Sequence, residues 1–175
     1  MRPGHDPFPD RGEPAPLEIE RKYLLVRAPS PERLAGFGAH AREIEQVYLR
    51  PTADAPLRRI RRSSTGGRTR FHYTEKRLVS GIVREEREKE IDLRTWQTLL
   101  AEADPARRPI RKTRHIFPYA GHELELDVFE LPEGLVILEV ELSDPDEAVE
   151  LPAELEVVRD VSEDPDYLNW SLALR

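Results

Sequence analysis

Between Leu17 and Leu142 the chain repeats one device: a charged residue, an arbitrary residue, then a second charged residue. Glu18, Glu20 and Lys22 form one such set. Arg59 and Arg61 follow, then Arg84, Glu86 and Glu88, then Lys112 and Arg114, Glu125 and Asp127, and Glu139 and Glu141. On an extended strand, residues two apart share a face, so each set is one stripe. Grouped carboxylates can hold Mg²⁺ or Mn²⁺, which prefer oxygen ligands. Guanidinium and ammonium groups bind phosphate oxygens, Arg by forked bonds and Lys as a point charge. A triphosphate carries about four to five negative charges near neutral pH, so the two kinds of stripe together suit such a substrate. Phosphoryl transfer needs little beyond positioning, charge neutralisation and an aligned water.

Alternation of this kind most often marks the solvated face of an antiparallel sheet. The chemistry of the stripes argues for more. A solvated face usually mixes Ser, Thr, Gln and Lys, whereas whole segments here present paired carboxylates or paired guanidinium groups. Where Glu125 and Asp127 alternate with Leu124, Leu126 and Val128, and Glu139 and Glu141 with Leu138, Val140 and Leu142, one face is apolar and the other charged. A closed barrel with its apolar face turned outward onto helices would gather the stripes in one lumen. Such a lumen is costly for stability alone, because buried charges must be paired or coordinated.

The elements that would position these residues are short period-two segments at 17–26, 43–50, 57–63, 68–78, 82–92, 110–117, 122–130 and 134–142. "SSTGG" at 63–67, "VSG" at 79–81 and "YAGH" at 119–122 supply turn chemistry between them. "DLRTWQTLLAEAD", 92–104, reads as a helix capped by Asp92, and "SPERLAGFGA" as a short one. Further helices are expected to begin at Pro145, behind Asp144, and at about Pro165, the last running to the end. Residues 1–16 hold five prolines and read as a disordered or extended tail, with the folded domain spanning 17–175. The expected class is α+β, mainly antiparallel β, built on a barrel or strongly curved sheet.

The totals narrow the function. A chain of 175 residues fits one domain. With 27 Lys and Arg against 34 Asp and Glu, the formal charge of −7 argues against a general nucleic-acid binder. The absence of cysteine excludes disulfides, thiolate zinc sites and a cysteine nucleophile. The longest aliphatic run, Leu135 to Leu138, is far short of a membrane span, and the amino terminus lacks a signal-peptide core. A protein that binds no membrane and resides in the cytoplasm is expected.

With these segments in view the sequence resembles the CYTH superfamily of triphosphate tunnel metalloenzymes. Glu18, Ile19, Glu20, Arg21 and Lys22 match its name-giving pattern of glutamate, any, glutamate, any, lysine. "QVYL" (46–49), "RRIR" (58–61), "TEK" (74–76), "REEREKEI" (84–91), "RKTR" (111–114), "ELDVF" (125–129), "LEVEL" (138–142) and "VSEDPDYLN" (161–169) look like its later blocks in its own order. The resemblance covers residues 17 to 173 and implies an eight-stranded antiparallel barrel around a hydrophilic tunnel, acting on a triphosphate with Mg²⁺ or Mn²⁺. Carried over by position, Lys22, Arg59, Arg61, Lys76, Arg84, Lys112 and Arg114 would bind phosphate. Glu18, Glu20, Asp127, Glu139 and Glu141 would hold metal. Glu86 and Glu88 would assist a second metal or the attacking water and, with Lys22, form the catalytic set. The family often brings a terminal lysine to the tunnel, but after Asn169 this chain has Trp170, Ser171 and Leu172.

Hydrolysis of inorganic tripolyphosphate is the activity expected, as in compact bacterial members, because nothing in the sequence forms an obvious base-recognition pocket. Thiamine triphosphatase, nucleoside triphosphatase and class IV adenylate cyclase are the rival activities, and a non-catalytic binder of polyphosphate or nucleotide is the rival class. A homodimer is left open. Six arginines between Arg58 and Arg70 could mimic an RNA-binding arm, but alternation assigns Arg59 and Arg61 inward and leaves Arg58 and Arg62 to solvent. The histidines lack metal-site spacing, and Trp96 and Trp170 are expected to pack helices onto the barrel.

Overall fold

The computed structural model of the chain describes Phe8, residues 13–53 and residues 55–174. Its strands are β1 (Leu17–Leu25), β2 (His40–Leu49), β3 (Leu57–Thr65), β4 (Arg68–Ser80), β5 (Val83–Ile91), β6 (Ile110–Tyr119), β7 (His122–Phe129), β8 (Val136–Glu141) and β9 (Val157–Asp160). All pairings are antiparallel, in the order β5-β4-β3-β2-β6-β7-β8-β1, and β1 returns to β5 through Leu17–Ile19. The eight strands therefore close into a barrel. The ninth, β9, adds to β1 at Tyr23–Leu25.

Tight turns hold neighbouring strands in register. Gly66 and Gly67, both at positive φ, connect β3 to β4, and Ala120 and Gly121 do the same for β6 and β7. Two successive residues of that hand give the turn whose twist matches that of the strands it joins. The helices are short: α1 (Pro31–Gly36), α2 (Leu93–Leu100) and α3 (Asn169–Leu172), with a 3₁₀ turn at Pro165–Tyr167. Ser30 Oγ caps α1 by accepting from Arg33 N at 3.3 Å, and Asp92 Oδ1 caps α2 by accepting from Thr95 N at 2.7 Å.

Helix α2 ends at Leu100, short of the expected Asp104. Past it, the chain turns to bond β2: Arg50 N donates to Glu102 O and Asp104 N to Tyr48 O, each at 2.9 Å. The expected helix at Pro145 does not form. Ser143 N and Oγ instead donate to Glu147 Oε2 in a local turn, and the chain continues extended, laying Val149, Leu151 and Leu155 over the outer face of β7 and β8. The expected terminal helix is reduced to the 3₁₀ turn and α3. Strand β9 has no signal in the sequence, because its four exposed residues carry no apolar alternation. Of the tail, residues 1–7 and 9–12 lie outside the described residues. Phe8 sets its ring 5.6 Å from that of Tyr73, and Pro16 O accepts from Glu86 N at 2.9 Å.

The apolar patches of the outward barrel faces are covered. Leu124, Leu126, Leu138 and Val140 pack under Phe37 and the 149–155 segment, while Val47, Leu49, Ile60 and Tyr73 pack under Trp96, Leu99 and Leu100. The inward faces are charged along most of their length and turn apolar at one end, where Tyr48, Ile110, Phe129 and Ile137 meet Trp170, Leu172 and Ala173 from the C-terminal segment. Among the described residues, no helix is long and apolar enough to cross a membrane.

Candidate active site

The inward stripes line a cavity of about 280 Å³. It holds six cationic side chains, Lys22, Arg59, Arg61, Lys76, Lys112 and Arg114, against eight carboxylates, Glu18, Glu20, Glu86, Glu88, Glu123, Glu125, Glu139 and Glu141. All the residues singled out in the sequence therefore come together here, except two. Arg84 stands at the adjoining mouth, where its Nη1 donates to Ile82 O at 3.4 Å. Asp127 lies behind the lining, wholly buried, with Arg114 Nε on Oδ1 and Arg114 Nη2 on Oδ2, both at 2.7 Å, and Lys112 also on Oδ2.

Register explains the pairing. Glu18 on β1 sits opposite Arg84 on β5, Lys22 opposite Glu139 on β8, and Arg114 on β6 opposite Asp127 on β7. Lys22 Nζ bridges Glu139 Oε1 and Glu20 Oε2, the latter at 2.7 Å. Lys76 bridges Glu18, at 2.6 Å, and Glu86. Arg61 Nη2 meets Glu88 Oε1 at 2.7 Å, and Thr74 Oγ1 donates to Glu88 Oε2 at 2.9 Å. Arg114 also donates to Glu125 and Glu139.

Cross-strand register also sets carboxylates against one another. Glu20 is the direct partner of Glu141, and Glu125 of Glu139; like charges so placed repel. Burial, then the carboxylates of Glu18, Glu125, Glu20 and Glu86, raise the pKa of Glu141. Burial also raises that of Glu125, helped by Glu139 and Asp127 and opposed by Arg114. Burial acts on Glu139 too, but Lys22, Lys112 and Arg114 outweigh it and hold this carboxyl well below the usual range. Lys112 is pulled down by burial and by Arg114, against the attraction of Asp127.

Among the described residues, no three Asp, Glu, His or Cys side chains form a ready metal-ligand set. Lys22 and Lys76 occupy carboxylate oxygens that a cation would take. The donor chemistry nevertheless fits a hard divalent ion: the groups are all oxygen donors, the lining has more carboxylates than cations, and Glu141 and Glu125 resist ionisation as they stand. Glu18, Glu20, Glu139 and Glu141, on adjacent strands β1 and β8, are the residues that could hold it. On the cationic side, Arg59 Nε and Arg61 Nε are buried and have no hydrogen-bond partner among the described residues. Such orphaned guanidinium donors call for an acceptor.

Several lining residues escape a reading of the sequence. Glu123 extends the Glu125 and Asp127 stripe by one step, a signal that local order does carry. Gln46 lies in the "QVYL" block but is neutral, and Asn169 reaches the cavity only because the C-terminal segment folds back. Arg58 corrects an expectation. It faces outward but is 8% exposed, because the segment after α2 covers it. There it donates to Tyr73 Oη at 2.9 Å, Arg50 O at 3.1 Å and Glu102 Oε2 at 2.8 Å.

Beside the charged cavity, sharing Glu20, Lys22, Arg59, Lys76 and Asn169 with it, opens a second recess of about 320 Å³. Tyr48, Pro56, Leu57, Leu78, Leu168 and Trp170 make it largely apolar. No local pattern announces it, because these residues come from four separate segments.

The model of the CYTH domain matches residues 16–164. The chain belongs to the CYTH domain family. Among solved structures it is similar to the inorganic triphosphatase NE1496, at 29% identity and a TM-score of 0.56 over 90% of this chain and 95% of that one. The PH1819 protein of Pyrococcus horikoshii OT3 shares the fold at 21% identity and a TM-score of 0.53, over 74% and 81% of the two chains. So does a chain of the Schizosaccharomyces pombe Mediator head module, at 8% identity and a TM-score of 0.52, over 77% and 86%. No curated protein gives a significant match.

Proposed function

We propose that this CYTH chain hydrolyses inorganic tripolyphosphate to pyrophosphate and phosphate with a divalent metal, Mg²⁺ or Mn²⁺. The observation that carries this reading is the charged cavity itself, where buried guanidinium N–H groups lacking an acceptor face a surplus of carboxylates. A net-negative lining opposes entry of a polyanion alone, whereas a polyanion with a divalent cation satisfies both halves. At about 280 Å³ the cavity sits at the lower limit for ligand sites, suited to a short inorganic chain. The similarity to NE1496, named an inorganic triphosphatase, supports the same activity.

In this reading Lys22, Arg59, Arg61, Lys76, Lys112 and Arg114 bind and orient the phosphates, with Arg84 at the mouth. Glu18, Glu20, Glu139 and Glu141 hold the metal. Bound there, a divalent cation would neutralise phosphate oxygens and acidify a coordinated water. Glu86 and Glu88 face the same space and would orient the attacking water, while Asp127 keeps Lys112 and Arg114 in place. Lys22 and Lys76, each now bridging two carboxylates, would turn to phosphate once those carboxylates are otherwise engaged. The exchange replaces one set of ion pairs by another at low reorganisation cost.

The apolar recess favours a second reading, an organic triphosphate whose phosphates occupy the charged cavity and whose organic group sits against Leu57, Leu78 and Trp170. Phosphate release from tripolyphosphate, ATP and thiamine triphosphate, each with Mg²⁺ and with Mn²⁺, separates the two. Faster turnover of an organic substrate overturns the inorganic assignment, and a cyclic nucleotide with pyrophosphate as products marks a cyclase. Tight binding without release from any of them leaves a binding module, a role the fold permits.

A further inference from the structure

His72 on β4 shares the inward face of Thr74 and Lys76, one step past the residues that line the charged cavity. The order of residues along the strands gives its place. On β3, Leu57 borders the apolar recess, Arg59 borders both recess and cavity, and Arg61 borders the cavity; on β4, Leu78 and Lys76 repeat the first two steps. His72 is the direct cross-strand partner of Arg61, so it stands at the end of the cavity remote from the recess.

These two opposed residues each carry a buried nitrogen, Arg61 Nε and His72 Nδ1, with no hydrogen-bond partner among the described residues. Directly opposed residues of antiparallel strands hold their Cβ atoms about 4.5–5.5 Å apart, so one ligand atom can meet both side chains. Arg61 Nη2 is already engaged by Glu88 Oε1 at 2.7 Å, which leaves Nε for another acceptor. Because a guanidinium only donates, whatever fills the gap must accept there, and a phosphate oxygen can accept from two donors at once. Burial and the cations Arg59 and Arg114 lower the pKa of Arg61 despite Glu88, so an anion at this end relieves crowding among guanidinium groups. Burial also lowers the imidazole of His72, opposed by Glu88 and Glu90 and aided by Arg61 and Arg70. The neutral ring has one N–H, and its partner decides which nitrogen bears it. An unprotonated oxygen beside Arg61 Nε places that hydrogen on Nδ1.

We infer that His72 binds the terminal phosphate of the substrate, donating from Nδ1 to an oxygen that also accepts from Arg61 Nε. The inference rests on the triphosphate reading and deepens it. It gives the phosphate track a direction, with a terminal phosphate at the His72 end and the opposite phosphate toward the recess. An organic triphosphate would then carry its organic group at the recess, whereas tripolyphosphate, whose two ends are alike, can enter either way round.

The test uses the full chain with Mg²⁺ and imidotriphosphate, an analogue whose bridging NH groups resist hydrolysis. In protein labelled with ¹⁵N at histidine, the His72 ring, assigned through bonds, is expected to shift as the analogue is added and to show a protonated Nδ1 in the complex. His72→Phe is expected to weaken analogue binding, and to raise KM for tripolyphosphate, by about 10- to 150-fold, as loss of a hydrogen bond to a charged acceptor does. The resonance measurement needs no variant, and so stands even where phenylalanine at this position disturbs folding. Analogue binding with Nδ1 unmoved, or left bare as a bridging water would leave it, overturns the His72 contact alone, as does a wild-type KM in His72→Phe. A wild-type chain that neither binds the analogue nor hydrolyses tripolyphosphate overturns the triphosphate reading and the contact with it.

Discussion

Asp127 separates two accounts of the same stripe. The CYTH resemblance implies a metal ligand, whereas its place behind Lys112 and Arg114 gives it the task of holding two cations. Asp127→Asn keeps the shape and one acceptor oxygen, but presents an NH₂ group to side chains that only donate. Removing one partner from a buried ion pair costs about 3–5 kcal/mol. For a chain of 175 residues each kcal/mol is worth about 2–4 °C, so the midpoint of thermal unfolding should fall by about 6–20 °C. Tripolyphosphate should recover more of that loss in the variant than it adds to the wild type, because the freed Lys112 and Arg114 gain an anion. Calorimetric scans with and without tripolyphosphate measure both effects, and an Mn²⁺ titration followed by electron paramagnetic resonance should show little change. An unchanged melting temperature together with a tenfold or larger loss of Mn²⁺ affinity would refute the placement and restore the metal-ligand role.

Other perturbations test the division of labour around the cavity. Glu20→Gln should abolish metal-dependent phosphate release while leaving tripolyphosphate affinity in place. Arg59→Ala should weaken tripolyphosphate binding by about 10- to 150-fold, as loss of a charge-assisted hydrogen bond does; equal and wild-type behaviour of the two variants would remove the inward assignment of both. Glu141 binds its proton more tightly in the folded chain than in the unfolded one, so its contribution to stability falls as pH rises from about the ordinary glutamate value of 4.5 through the raised folded one. Glu141→Gln should therefore melt about 1–2 °C higher than wild type at neutral pH without metal, the advantage vanishing in acid, while Mn²⁺ affinity drops. A lower melting temperature at neutral pH would show that Glu141 feels no repulsion from Glu20.

Much of this architecture is legible in local order. Period-two spacing places Glu18, Glu20 and Lys22 on one face whatever the rest of the chain does, and the glycine pair at 66–67 and Asp92 mark turn and cap by their own stereochemistry. Such features depend on neighbours within a few residues, which is why eight strands and α2 stand near their expected places. Residues whose surroundings come from afar are not legible in this way. Arg58 reads as solvated until the segment after α2 covers it. That Asp127 bonds Lys112 and Arg114, on the neighbouring strand β6, emerges only from the pairing of the strands. Pro145 reads as a helix start until the outer face of β7 and β8 demands extended chain.

That the charges lie in stripes, and that the stripes of β7 and β8 have apolar backs, follows from residue order and strand geometry. Which face turns inward does not. Closure of β1 onto β5 and burial of the outer leucines under Phe37, α2 and the 149–155 segment leave the charged faces nowhere else to point. The end of the charged lining is likewise a product of assembly. Tyr48, Ile110, Phe129 and Ile137 become one apolar end only when four strands are set side by side and α3 folds back against them. Alternation specifies a face for each strand, but the register between strands depends on contacts between residues far apart in the chain.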